Sequence, residues 1–302
     1  MKKLFAYLLV LCIFTILIYH LRQNWDTVRA IPWGDHLFLL SFHWVSLLFM
    51  FLVFIWGWMY AVHIHGYKIR WKSAARTWLV PNLGKYIPGK VFMLAGRVEM
   101  SRKIGIRPVV SFSAMVMENA LMVFAALPFF FWSVLYGLNI PGRHSVAILT
   151  VFILLGLWIC TQPKKMIQCL NFVNRKFGHG LLNVYPKPQY MFALVGIYFL
   201  GWIFYGFSGM LLTHALELAK GVSWFTLAAS FISSWVIGYL TLITPSGLGV
   251  REMVLVGLLT PEIPAAQAIT LALLARLSWT VTELAGVGVG LFFKDIEEYP
   301  SV

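Results

Sequence analysis

The residues best suited to chemistry are cations placed where the chain is broken. Lys85, Lys90 and Arg97 surround the stretch Pro81-Asn82-Leu83-Gly84-Lys85-Tyr86-Ile87-Pro88-Gly89-Lys90. Arg251 follows the break in Thr244-Pro245-Ser246-Gly247-Leu248-Gly249-Val250-Arg251-Glu252. Pro88, Gly89, Pro245, Gly247 and Gly249 interrupt sequence that is otherwise apolar and helix-like. A broken helix offers free N–H groups and a positive dipole end. Glycine lets the backbone approach an anion closely, and arginine adds a two-pronged donor that matches phosphate. The chemistry expected is phosphate binding. Its rival is snorkelling, in which each cation merely reaches for the interface.

Four more charges fall inside or beside apolar runs: Glu118, Glu252, Arg276 and Glu283. A charge at mid-membrane costs about 2.5–3.5 kcal/mol on insertion scales, so each needs a partner or a wet cavity. Arg276 and Glu283 are seven residues apart and share a helix face, but the spacing is too long for a direct bond. Each is expected to meet groups on other helices. Structural ion pairs are one reading. Head-group contact for Arg276 and proton coupling for Glu118 or Glu283 are the other. Arg251 beside Glu252 is equally consistent with a local pair that fixes the second break.

Other chemistries lack their residues. His63 and His65 have no Cys, Asp or Glu nearby, so no metal site is expected. His43 and His214 read as single helix-bridging groups. There is no P-loop, dinucleotide fingerprint or nucleophile elbow, so no cofactor and no catalytic residue is assigned. Cys12, Cys160 and Cys169 suggest no disulfide framework.

The elements that must hold these residues are membrane helices. Sixty per cent of residues are apolar and 12% charged, against about a quarter charged in soluble domains. The net charge of +13 is scattered through loops, which fits topology and anionic lipid better than nucleic acid. Spans are expected near 4–19, 37–62, 109–138, 145–161, 190–216 and 265–293. The first follows Lys2 and Lys3 and has no A-x-A cleavage site, so it reads as a retained span or signal anchor. Trp56, Trp58, Tyr60, Tyr67 and Trp71 read as an interfacial belt. Residues 63–76, 97–108 and 162–188 read as basic loops.

The broken regions near 77–96 and 224–260 read as re-entrant hairpins, although 224–243 is long enough for a full crossing. With the amino terminus in the cytoplasm, inside loops hold fifteen Lys and Arg and outside loops four. Three crossings between the hairpins put them on opposite faces, as in an inverted repeat. The fold class expected is therefore all-α: one polytopic membrane domain over 1–302, with halves 1–144 and 145–302.

The two broken motifs, with Arg97, resemble the flippase-like membrane region of lysylphosphatidylglycerol synthases, a family that includes stand-alone membrane proteins. The resemblance covers about residues 1–293. Glu118 and Arg276 fall where that family's intramembrane charges are expected. The resemblance implies a multi-pass protein of the bacterial inner membrane that translocates an anionic phospholipid or a polyprenyl-phosphate-linked head group. It does not extend to lysyl transfer from tRNA, because the sequence lacks the soluble aminoacyl-transferase domain. The alternative function is a non-catalytic membrane partner of a glycosyltransferase or lipid-modifying enzyme. A lipid-modifying enzyme is a third reading, for which no nucleophile or metal constellation is present.

Overall fold

The computed structural model describes residues 25–34, 36–87, 91–137, 160–176, 186–219, 221–241 and 244–293. Isolated positions among 15–23, 147–158 and 181–182 are described as well. The expected span at 4–19 and most of that at 145–161 lie outside the described residues.

Among the described residues the chain is all-helical. A short α1 (Trp25–Arg29) precedes α2 (Leu37–Ile64). Then come α3 (Trp71–Leu79), a 3-10 turn (Val80–Tyr86) and α4 (Val91–Lys103). Next are α5 (Pro108–Gly137), α6 (Pro163–Lys176) and α7 (Pro188–Ala215). The chain continues through α8 (Trp224–Leu240), a 3-10 turn (Pro245–Gly247), α9 (Val250–Leu259) and α10 (Ala265–Phe292). Four of these, α2, α5, α7 and α10, are long and apolar enough to cross a membrane. At 1.5 Å per residue, the nine residues of α3 reach only about 14 Å and the ten of α9 about 15 Å. Neither spans a hydrocarbon core of about 30 Å.

The most extensive helix pairing among the described residues is α2 against α7. Small residues make it possible. A Cβ on Gly57 would lie 2.5 Å from the Tyr198 ring, and one on Gly201 would lie 2.2 Å from the Phe54 ring. Each glycine thus seats an aromatic ring of the facing helix, the packing that holds helices together in lipid. His43 joins the same pair: its Nδ1 lies 2.9 Å from the Ser208 carbonyl and 2.8 Å from the Ser208 hydroxyl. Helix α8 is buried along most of its length and packs on α5, α7 and α9.

The ends of the bundle are tied by polar contacts. At one end His36 pairs with Glu217 at 3.0 Å, and Tyr136 donates to Glu262 at 2.9 Å. At the other, Arg107 donates to the Tyr67 hydroxyl at 3.0 Å, and Arg76 donates to the Phe293 carbonyl. Helix α8 starts beside the end of α5, where the Phe225 and Trp132 rings are 4.9 Å apart. Glu262, just past α9, returns to the same place through Tyr136. The turn after α3 and the turn after α8 touch each other inside the bundle.

Three expectations need correction. Residues 71–76 and 97–103 are helical rather than loop, in α3 and α4. Residues 163–176 form α6, with Ile167 and Leu170 buried. In α3 and α6 dense basic charge hid an amphipathic helix, whereas α4 has little amphipathic pattern to read. Trp58 is not a belt residue: it is fully buried, because α2 continues past it against the core.

Candidate functional site

The site forms where the two turns meet. Leu83 and Tyr86 from the first pack with Leu248 from the second and with Ile269 and Leu273 of α10. Backbone conformation places the second turn. Ser246, Gly247 and Gly249 all have positive φ, at 52°, 71° and 79°. Gly247 is also pressed on α8, where a Cβ would sit 2.6 Å from the Gly238 carbonyl oxygen. Only glycine combines that conformation with that approach.

Each cation is then positioned by one short contact or by none. Arg97 of α4 donates from Nη1 to Glu118 Oε2 of α5 at 2.6 Å. Trp78 of α3 donates to the other oxygen, Oε1, at 2.7 Å. The Arg97 guanidinium stacks on Trp58 at 4.9 Å and Trp78 at 5.6 Å. Glu118 thus has both oxygens engaged in a buried, charge-assisted cluster. Lys85 Nζ lies 2.6 Å from Glu283 Oε1, and the Tyr86 hydroxyl donates to Glu283 Oε2 at 2.8 Å. The first turn is therefore tied to α10 through one carboxylate.

The second turn is tied to α10 more loosely. Arg276 Nε stands 3.4 Å from Glu252 Oε1, within ion-pair range but without hydrogen-bond geometry. Arg276 Nη2 donates to the Ser246 carbonyl at 3.3 Å. Glu252 therefore faces Arg276 rather than forming a local pair with Arg251.

Arg251 differs from all the others. Among the described residues no carboxylate lies within ion-pairing distance of it, and its Nε has no hydrogen-bond partner. It is 8% exposed. Its guanidinium packs on Trp235 at 5.0 Å and Trp279 at 5.5 Å. Gly238 makes room for its stem, since a Cβ there would lie 2.2 Å from Arg251 Cγ.

These groups line two small adjoining cavities. One, of about 50 Å³, is walled by Lys85, Arg97, Glu118, Arg251, Trp78, Trp235 and Trp279. The other, of about 20 Å³, holds Arg251, Glu252 and Arg276 against Tyr205 and Trp279. Arg251 and Trp279 border both. The volumes suit a few water molecules at most, at about 10–15 Å³ each on this measure.

The structure thus gathers Lys85, Arg97, Arg251, Arg276, Glu118, Glu252 and Glu283 into one region. Lys90, Pro88 and Gly89 lie outside the described residues. Pro245 opens the second turn. Sequence reasoning missed the walls: Trp78, Trp235 and Trp279 in the cavities, Tyr86 on Glu283, and Tyr239, which donates to Asn119. For Trp235 and Trp279 the available signal was tryptophan within an apolar run rather than at its end; Trp78, just after Arg76, gave none. Among the described residues no cluster of His, Cys, Asp and Glu could hold a metal ion.

A family model described as the lysylphosphatidylglycerol synthase TM region matches residues 4–285. No curated protein matches the sequence. The match runs through both broken segments, the paired charges and the four long helices. The chain belongs to the lysylphosphatidylglycerol synthase TM-region family.

Proposed function

We propose that this membrane protein translocates an anionic lipid, either a phospholipid or a polyprenyl-phosphate-linked lipid, across the bacterial inner membrane. The family supports a membrane-lipid role. On this reading the two broken segments are re-entrant hairpins, related as an inverted repeat, that dip in from opposite leaflets. The head group passes between their turns while the tails stay in lipid. No covalent step is part of it.

The observation that carries the reading is Arg251. A buried guanidinium without a carboxylate is costly in low dielectric, and Arg251 stands in that condition at the meeting point of both breaks. An anionic head group supplies the missing charge. Glu118 and Glu283 act as structural partners, since Arg97 with Trp78, and Lys85 with Tyr86, occupy their oxygens. The cavities are too small for a head group as they stand, so transport requires the turns to separate.

Orientation follows from loop charge. Arg97 is buried in α4 and leaves the loop count, so inside loops hold fourteen Lys and Arg against four outside. The bias still favours a cytoplasmic amino terminus.

The test is reconstitution in liposomes with fluorescent anionic lipid, followed by dithionite accessibility. Wild-type protein is expected to move lipid between leaflets, and Arg251→Ala with Arg276→Ala to lose that activity. Equal rates in the two would overturn the assigned roles. No movement of any anionic lipid by wild-type protein would overturn transport itself.

A further inference from the structure

We infer that α6 lies in the head-group layer of the cytoplasmic leaflet and that its outward face binds the anionic lipid surface there. None of its residues borders the cavities between the two turns. This binding and lipid transport therefore stand or fall separately.

The helix has two faces. Pro163, Ile167 and Leu170 are buried, whereas Lys164, Lys165, Gln168, Cys169, Phe172 and Arg175 are exposed. At about 100° of turn per residue, Phe172 falls opposite Ile167 and Leu170 and beside Lys165. It is 72% exposed. A phenylalanine among basic residues is poorly placed in water. It is well placed at the boundary of head groups and acyl chains, where the ring enters the apolar layer and the cations meet phosphate.

Contacts fix the depth of this face. Lys165 Nζ lies 5.5 Å from the centre of the Trp158 ring. Trp158 is 55% exposed, near the end of the apolar run 145–161. An exposed tryptophan at such an end marks the interface, so the first turn of α6 stands at head-group level. Asn171 holds the helix to the chain that leads toward α7. Its Nδ2 donates to the Leu182 carbonyl at 3.0 Å, and its Oδ1 accepts from the Leu182 amide at 2.8 Å. Helix α7 begins at the end of the bundle where the Tyr190 and Tyr60 rings are 6.3 Å apart and Arg107 meets Tyr67. Lys68, Arg70, Lys103 and Lys187 belong to this end too, which the loop charges assign to the cytoplasm. The face is therefore turned to a leaflet that carries anionic lipid. Lys164 and Arg175 stand about 16 Å apart along the axis, so the face meets several head groups rather than one.

Cys169 is exposed on α6 and takes a fluorescent label. The full chain, with Cys12→Ser and with the buried Cys160 left in place, carries bimane at Cys169 in nanodiscs. The nanodiscs hold phosphatidylcholine alone, or phosphatidylcholine mixed with phosphatidylglycerol or with phosphatidylserine. Acrylamide, a neutral aqueous quencher, reads how deeply the label sits. Either anionic lipid is expected to cut quenching by about half or more, and high salt to restore it. Lys164→Gln, Lys165→Gln and Arg175→Gln together should remove the dependence on lipid charge, since each cation adds about fivefold to the partition toward an anionic surface. The melting temperature should barely move, because all three side chains are exposed. Phe172→Ser should raise quenching in every membrane. Quenching that ignores lipid charge, still follows it in the triple variant, or is unmoved by Phe172→Ser overturns the inference. A response to phosphatidylglycerol alone would mean one specific site rather than a surface, and overturns it as well. Full access in every membrane would put the face in water, open to an acidic soluble protein, and overturns it too.

Discussion

The two broken segments carry similar residues but satisfy them differently. The first, α3 to α4, is bound by short contacts on both sides: Arg97 and Trp78 to Glu118 at 2.6 and 2.7 Å, Lys85 and Tyr86 to Glu283 at 2.6 and 2.8 Å. The second, α8 to α9, leaves Arg251 without a carboxylate and holds Arg276 at 3.4 Å from Glu252. Burial alone does not separate them, since Arg97 and Arg251 are both buried and both stack on tryptophan. Pairing does. A paired buried ion serves the fold, whereas an unpaired one is a standing cost that stability cannot explain and a ligand can.

This contrast predicts which substitutions unfold the protein and which only silence it. Glu118→Gln should have the largest effect on stability. It strands Arg97 among Trp58 and Trp78, at a cost of about 3–5 kcal/mol, seen as a steep fall in melting temperature in detergent. A double change of Arg97→Met with Glu118→Leu should recover most of that loss, because removing both charges removes the stranded one. If Glu118→Gln is as stable as wild type, the first segment is not held by this pair.

Tyr86→Phe comes next. It removes one hydrogen bond to the Glu283 carboxylate, worth about 1.5–3 kcal/mol, while Lys85 stays in place; thermal unfolding in detergent reads it. The smallest effect on stability belongs to Arg251→Gln. The change removes a cation that has no carboxylate and loses only its stacking on Trp235 and Trp279, about 0.5–2 kcal/mol. Lipid movement should nonetheless be abolished. A variant that melts far below wild type would place Arg251 with the structural ions and dissolve the distinction between the segments.

Much of this architecture was legible from the residues. The spans at 37–64, 108–137, 188–215 and 265–292 follow from continuous apolar runs, because hydropathy is a local property. The breaks are legible for the same reason, since proline and glycine act where they stand. Partnership is not local. Glu118 finds Arg97 and Trp78 at 21 and 40 residues' distance, and Glu283 finds Tyr86 at 197. Arg97 read as a loop cation because Arg102, Lys103 and Arg107 follow it, yet the turn of α4 sends it inward. Trp58 read as an interfacial belt residue because only packing shows that it is buried beneath Arg97, and only packing places Trp279 at the wall of both cavities.

On the proposed transport route a head group passes between the two turns, which must therefore part. Leu83 and Leu248 lie one on each turn and belong to the cluster that closes it. A variant with cysteine at both positions, and with Cys12, Cys160 and Cys169 changed to serine, can be joined by a short bismaleimide or by oxidation. Lipid movement in liposomes is then measured on the joined and unjoined protein. Joining is expected to stop movement, and reducing an oxidised link to restore it. Movement that continues at full rate through a completed link would contradict that route.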